Sequence, residues 1–175
     1  MEANPRGILL LTGTVGSGKT TVAAAIGEQL ADILLSNAVI DLDWLGWVNA
    51  GDDFHDYDQL IMQNMISIWP NYRAIGVQYL ILARALLHRE PLDILANAFP
   101  NTSITVFRLI ASKDTIEKRL SQRDAGRTLR EHLEGMDKMN QLMDKLSLEH
   151  ATVNNDGLSA EETARRIINI AGWKR

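Results

Sequence analysis

The chain contains no cysteine. That excludes a disulfide framework and a thiolate metal site, and it fits a reducing compartment. No uninterrupted apolar run approaches the roughly eighteen residues that a membrane-spanning helix needs, and the apolar stretch in "MEANPRGILLLTG" is short for a signal peptide. Basic residues are scattered rather than clustered, and 22 Asp and Glu against 18 Lys and Arg leave a formal net charge of −4. A nucleic-acid backbone needs a basic stripe, and none is present. The expectation is a soluble cytoplasmic protein that binds neither nucleic acid nor membrane; the oligomeric state is left open. Gly/Ser linkers, internal repeats and low-complexity tracts are also missing. With 175 residues, 46% of them hydrophobic, the chain is long enough for one full core and too short for two ordinary ones, so a single domain over 1–175 is expected.

What is present is an alternation. Five short apolar runs read as strands: "GILLLTG" (7–13), "NAVIDLD" (37–43), "QYLILA" (78–83), "SITVFRLI" (103–110) and "ATVNND" (151–156). They are apolar on both faces, as strands of a parallel sheet covered by helices are. Between them, Tyr57, Leu60, Ile61, Asn64, Met65 and Ile68 recur at helical spacing, as do Leu129, Leu133, Met136, Met139, Leu142, Met143 and Leu146. A last helix opens at "SAEE", where Ser159 can cap and Glu162 can reach back, with Ala164, Ile167, Ile168 and Ala171 as its buried stripe. The fold class is α/β.

The first strand runs into "GTVGSGKTT", Gly13 to Thr21. Gly13, Gly18, Lys19 and Thr20 stand at P-loop spacing between a strand and a helix, the setting that this motif requires. Its glycines let the backbone curl so that successive N–H groups point inward, and the helix N-terminus adds its positive end. Val15, Gly16, Ser17 and Thr21 complete the cradle. Lys19 is expected at the β and γ phosphates of a nucleotide, and Thr20 is expected to offer its hydroxyl to Mg²⁺. A dinucleotide fingerprint would need glycine at Thr21 and fails.

The cradle alone does not choose a chemistry. The second strand ends in Asp41 and Asp43, two residues apart and so on one face, at the sheet edge where ligands of parallel α/β folds sit. One carboxylate can order Mg²⁺ and its waters while the other accepts a proton from an attacking hydroxyl. The plainer alternative is that Asp43 caps the turn into "WLGW" and Asp41 is a solvated strand end. Asp43 to Gly46 also spell the Asp-x-x-Gly of GTPase switches, but no guanine-reading Asn-Lys-x-Asp follows; "ASKD" at 111–114 has Ser where Asn is needed. Arg119, Arg123 and Arg127 recur at spacing four, on one face if the helix continues past Gly126. They suggest an arginine-bearing lid over 119–135 that stabilises transferred charge and excludes water, or else a solvated face paired with Glu117 and Asp124.

With these parts in place the sequence resembles the P-loop small-molecule kinases, the group that includes shikimate kinase, gluconate kinase, adenylylsulfate kinase and chloramphenicol phosphotransferase. The likeness rests on "GTVGSGKTT", "DLD", "RLSQRDAGR" and "VNNDGLSAEETARRI". It implies a P-loop NTPase fold, three layers α/β/α around a five-stranded parallel sheet of order 2-3-1-4-5, with ATP and Mg²⁺ as cofactors. It also implies Asp43 as the substrate-side carboxylate, Arg119 or Arg123 near adenine or phosphate, and Asn155 to Gly157 beside the adenine. The third strand departs from the wider P-loop pattern because "YLILAR" has no Walker B acid, which leaves Mg²⁺ to Thr20, Asp41 and water. The segment 44–76 should build the acceptor pocket and is rich in aromatics: Trp44, Trp47, Phe54, Tyr57, Trp69 and Tyr72, with Asp52, Asp53, His55, Asn64, Arg73 and, at the end of the third strand, Arg84 as polar groups. Core packing competes with acceptor contact for each tryptophan. His88, His132 and His150 stand alone and carry no assignment. The expected activity is transfer of the ATP γ-phosphate to a hydroxyl of a small molecule, a metabolite, nucleoside or antibiotic, with Lys19, Asp43, Arg123 and Arg127 as the catalytic set. The alternative is a nucleotide-binding regulator or docking module that has lost transfer.

Overall fold

Residues 4–49, 56–124 and 126–173 are described by a computed structural model. Five strands, β1 (Gly7–Thr12), β2 (Asn37–Asp41), β3 (Tyr79–Ala83), β4 (Ser103–Ile110) and β5 (Ala151–Asn154), form one parallel sheet. Its order is β2-β3-β1-β4-β5, as expected for a P-loop NTPase. The described helices are α1 (Lys19–Asp32), α2 (Tyr57–Ala74), α3 (Glu90–Ala98), α4 (Lys113–Arg123), α5 (Gly126–Leu146) and α6 (Ala160–Ala171).

The apolar runs become strands because both faces of the sheet are covered. Alternate residues of β1 divide between two cores: Ile8 and Leu10 pack with α2 and α3, Leu9 and Leu11 with α1 and α6. All four are fully buried, and burying each stabilises the fold by about 1.5–3 kcal/mol before ordering entropy is counted. The parallel register sets Leu10 beside Leu82 of β3 and Val106 of β4, so the strand C-termini finish along one edge. Helix α6 starts where "SAEE" places it: Ser159 and Glu162 form a reciprocal capping box. Among the described residues, no helix is long and apolar enough to cross a membrane.

Three elements differ from the sequence reading. Strand β2 stops at Asp41, because the Asp41 carboxylate accepts from the Asp43 N–H at 3.1 Å and turns the chain into a 3-10 helix, Leu42–Gly46. Asp41, and not Asp43, is therefore the capping residue. The arginine series does not lie on one helix: Asp124 is extended and Gly126 has φ 58°, so α4 ends at Arg123 and α5 begins anew. The third difference is in β4, which is not wholly apolar. Arg108 is 5% exposed there and donates to Asp144 of α5 at 2.6 Å and to the Asn140 side chain at 3.1 Å. Glu149 stands 3.5 Å from the same guanidinium. A buried cation is tolerated only with such partners, and here they fasten the C-terminal half of α5 to the sheet.

Candidate active site

Beyond the C-terminal ends of β1 and β2 a cleft of about 1220 Å³ opens between the phosphate loop, the 3-10 turn and the α4–α5 junction. Lys19, Thr20, Asp41, Asp43, Arg119 and Arg123 all face it. The topology explains this convergence, since β1 and β2 flank β3 and both end on the same edge.

The loop is shaped by close approach. Gly13 has φ 143°, and a Cβ there would stand 2.5 Å from the Leu109 carbonyl oxygen. Gly16 has φ 79°, and its Cβ would meet Ile116 and Leu120 of α4 at 2.9 and 3.0 Å. Ile116 and Leu120 form a small core with Met136, against which Val15, Leu129 and Leu133 pack. The loop and the start of α5 thus share one apolar seam.

Gly18 is the left-handed cap of α1, and Lys19 is its first residue. The Lys19 Nζ turns back to donate to the Gly13 and Thr14 carbonyls, each at 3.0 Å. Burial in the loop pulls the ammonium down to about 8, against the opposing pull of Asp43 and Asp41. One residue on, the Thr20 hydroxyl donates to Asp41 Oδ2 at 2.5 Å. Ser17 is fully buried with an Oγ that has no partner. Thr21 also lines the cleft.

Asn155, 2% exposed, donates to the Ser17 carbonyl at 2.8 Å. Arg119 reaches the same group and the Gly16 carbonyl, both at 3.4 Å, and Asn155 Oδ1 at 3.3 Å. Together they tie the α4 face and the β5–α6 turn to the phosphate loop. That turn is held from its other side by Asp156, whose carboxylate accepts from the Ser112 N–H at 2.8 Å and is lowered below its ordinary pKa chiefly by that bond. Gly157, with φ 67°, shapes the turn, while its neighbours Leu158 and Ser159 line the cleft.

Asp43 lies across the cleft, where its carboxylate accepts from Arg84 Nη1 at 2.8 Å. The other arm of Arg84 holds Asp58 at the start of α2. Arg84 directly follows β3, the position where the acid is missing, and its side chain is only 14% exposed. Arg123 is bound by Asp124 through Nε and Nη2, at 2.9 and 3.0 Å. Asp124 also pairs with His132 at 2.7 Å, and the Arg123 bond, then the His132 bond, bring its carboxyl down to about 2. The Arg127 side chain lies outside the described residues, as do Asp52, Asp53, Phe54 and His55.

One functional residue escaped sequence reasoning, and the tryptophans divided between the two readings open to them. His132 faces the cleft although nothing around it in sequence marks it; its pairing with Asp124 depends on the break between α4 and α5. Trp44 and Trp47 are exposed rather than core, whereas Trp69 is buried against Phe99.

The sequence profile of the AAA domain family matches residues 9–142. The chain belongs to the AAA domain family. No curated protein matches it by sequence. Among solved structures, this AAA domain protein is similar to the tunicamycin resistance protein of Deinococcus radiodurans, at TM-score 0.66 and 17% identity over 97% of this chain and 96% of that one. Shikimate kinase from Bacteroides thetaiotaomicron is similar at TM-score 0.63 and 18% identity, covering 95% and 98%. A gluconokinase from Sinorhizobium meliloti 1021 is similar at TM-score 0.60 and 16% identity, covering 99% and 100%. At these identities the likeness concerns the fold, which is the P-loop kinase-like fold that the motifs of the sequence resemble.

Proposed function

We propose that the chain is an ATP-dependent phosphotransferase that moves the γ-phosphate to a hydroxyl of a small molecule, working as one domain with an acceptor segment at about 44–76 and a lid at about 119–135. The observation that carries this reading is the placement of Lys19, Thr20, Asp41 and Asp43 on one cleft. A loop that only held Mg-nucleotide would use Asp41 but would have no need of a second carboxylate, Asp43, on the same cleft.

The residues fit a nucleotide triphosphate and Mg²⁺. The glycine cradle leaves room that a Cβ would fill, the buried Ser17 Oγ has no partner, and the Lys19 ammonium is held by loop carbonyls that phosphate oxygens can replace. Among the described residues no group of three or more His, Asp or Glu could cage a metal by itself. Mg²⁺ suits such a site, because it keeps waters and takes one or two carboxylates plus phosphate oxygens. Thr20 would hold it, with Asp41 orienting the hydroxyl at 2.5 Å. When bound, Mg²⁺ neutralises charge on the β and γ oxygens.

Lys19 then holds the β and γ phosphates, and Arg119 and Asn155 keep the loop in shape beside the adenine. The bond from the acceptor oxygen to γ-phosphorus forms as the bond from γ-phosphorus to the bridging oxygen breaks, and ADP leaves. Asp43 takes the proton of the acceptor hydroxyl. Arg123 and Arg127 stabilise the transferred oxygens, for which Arg123 must leave Asp124.

The reading is tested by ADP formation from Mg-ATP with and without a metabolite mixture. Stimulated turnover supports it. Tight ATP binding with no acceptor-dependent turnover sinks it and favours the nucleotide-binding regulator, toward which the missing Walker B acid points.

A further inference from the structure

Trp44 and Trp47 are 68% and 79% exposed, yet their rings stack on each other with centroids 4.9 Å apart and planes 25° from parallel. Both line the same cleft as Asp43 and Lys19. Exposing two indoles forfeits a large hydrophobic gain, and their burial is not what the 3-10 turn needs, because Leu42 anchors it to the core. Asp41 and Asp43 line the cleft with the pair, and the guanidinium of Arg84 is already shared between Asp43 and Asp58. Lys19, Arg119 and Arg123 also line the cleft, but Lys19 is held by the loop carbonyls, Arg119 by the loop and Asn155, and Arg123 by Asp124. From Trp44 to Tyr72 the chain carries no Lys or Arg.

Resting on the phosphotransferase reading, we propose that the Trp44–Trp47 pair is the acceptor platform, and that it takes a non-acidic ring compound, neutral or cationic, with a flat face on the indoles and a hydroxyl toward Asp43. An aromatic face gains from stacking with a planar ring and from a nearby cation. A carboxylate acceptor on the indoles would stand beside Asp41 and Asp43, and the cation that Asp43 holds, Arg84, is already shared with Asp58.

The test reads tryptophan fluorescence with Mg²⁺ and a non-hydrolysable ATP analogue present, so that the nucleotide site is filled. Uridine, cytidine and para-aminomethyl benzyl alcohol are titrated as ring alcohols, shikimate and gluconate as carboxylates. Of the four tryptophans, Trp69 is 5% exposed and Trp173 packs on Tyr79, so the cleft pair dominates a quenching signal. The expected result is saturable quenching by at least one ring alcohol and none by the carboxylates. The Trp44→Ala/Trp47→Ala variant should lose the signal and weaken binding at least about tenfold by calorimetry, while the analogue still raises its melting temperature. No quenching by any ring alcohol overturns the platform, and so does equal or stronger quenching by shikimate or gluconate. A dimer in sedimentation that the double variant lacks also overturns it, since the pair would then cover a second copy. ADP formation with the same panel separates the two readings. Quenching without turnover leaves the platform and sinks the transferase, whereas turnover with a carboxylate alone leaves the transferase and sinks the platform.

Discussion

Asp43 and Arg84 meet at 2.8 Å across the gap between β2 and β3, and Arg84 is itself braced by Asp58. The candidate base is thereby oriented by the side chain that directly follows the neighbouring strand. Asp43→Asn keeps the shape and still accepts a hydrogen bond from Arg84, but it cannot take a proton. Transfer should fall by about 10²–10⁴ with nucleotide affinity intact, less if Asp43 mainly orients the acceptor. Arg84→Lys should lower kcat more mildly, because a single ammonium cannot span both carboxylates. Fluorescent-nucleotide binding and initial rates on the same preparations check both; full transfer in Asp43→Asn ends the assignment of Asp43 as the base.

The lowered pKa of Lys19, about 8, predicts a pH-dependent affinity. Phosphates favour the charged ammonium, so the complex takes up a proton wherever the free loop has lost one. Affinity should be level below about pH 8 and fall by about tenfold per pH unit above it. Calorimetry in buffers of different ionisation enthalpy measures the uptake, and Lys19→Met should abolish it. The stability of the free protein moves the opposite way. The folded pKa lies below the unfolded 10.5, so the unfolded chain holds more protons between about 8 and 10.5, and the contribution of Lys19 to stability rises with pH across that window.

The α4–α5 junction should respond to ligand. Cleavage by trypsin within 119–135 is expected in the free protein and should be suppressed by a bisubstrate mimic. Asp124→Asn releases both Arg123 and His132 and should speed cleavage of the free form. Because the folded pKa of Asp124 is depressed to about 2, its pairing is present in full above the ordinary 3.8 and is lost as pH falls toward 2. Equal cleavage with and without the mimic would retire the lid.

Arg108 offers a control remote from the chemistry. Arg108→Ala leaves Glu149, only 15% exposed, without its cation and should cost about 3–5 kcal/mol in urea unfolding. Arg108→Met keeps much of the volume and should cost less. If both variants unfold with the wild type, the anchoring of α5 to the sheet rests elsewhere.

Much of this protein was legible one residue after another. The P-loop, the five strands and the Ser159–Glu162 cap rest on local spacing, since strand periodicity, glycine turns and capping boxes act within a few residues of chain, whereas the sheet order came from the family resemblance alone. What tertiary structure decided are the relationships between groups far apart in sequence. Asp41 accepts from Thr20, 21 residues away, because β1 and β2 finish on the same edge of the sheet. Arg84 gained its meaning from Asp43, which is 41 residues away. Arg108 lies in a run that reads as apolar, and it is admitted only because α5 brings Asn140 and Asp144 over β4. Trp44 and Trp47 differ from Trp69 in nothing that composition can show. The first two face a cleft and the third a core because burial depends on which element packs above, and that is a property of the assembled sheet and not of the chain.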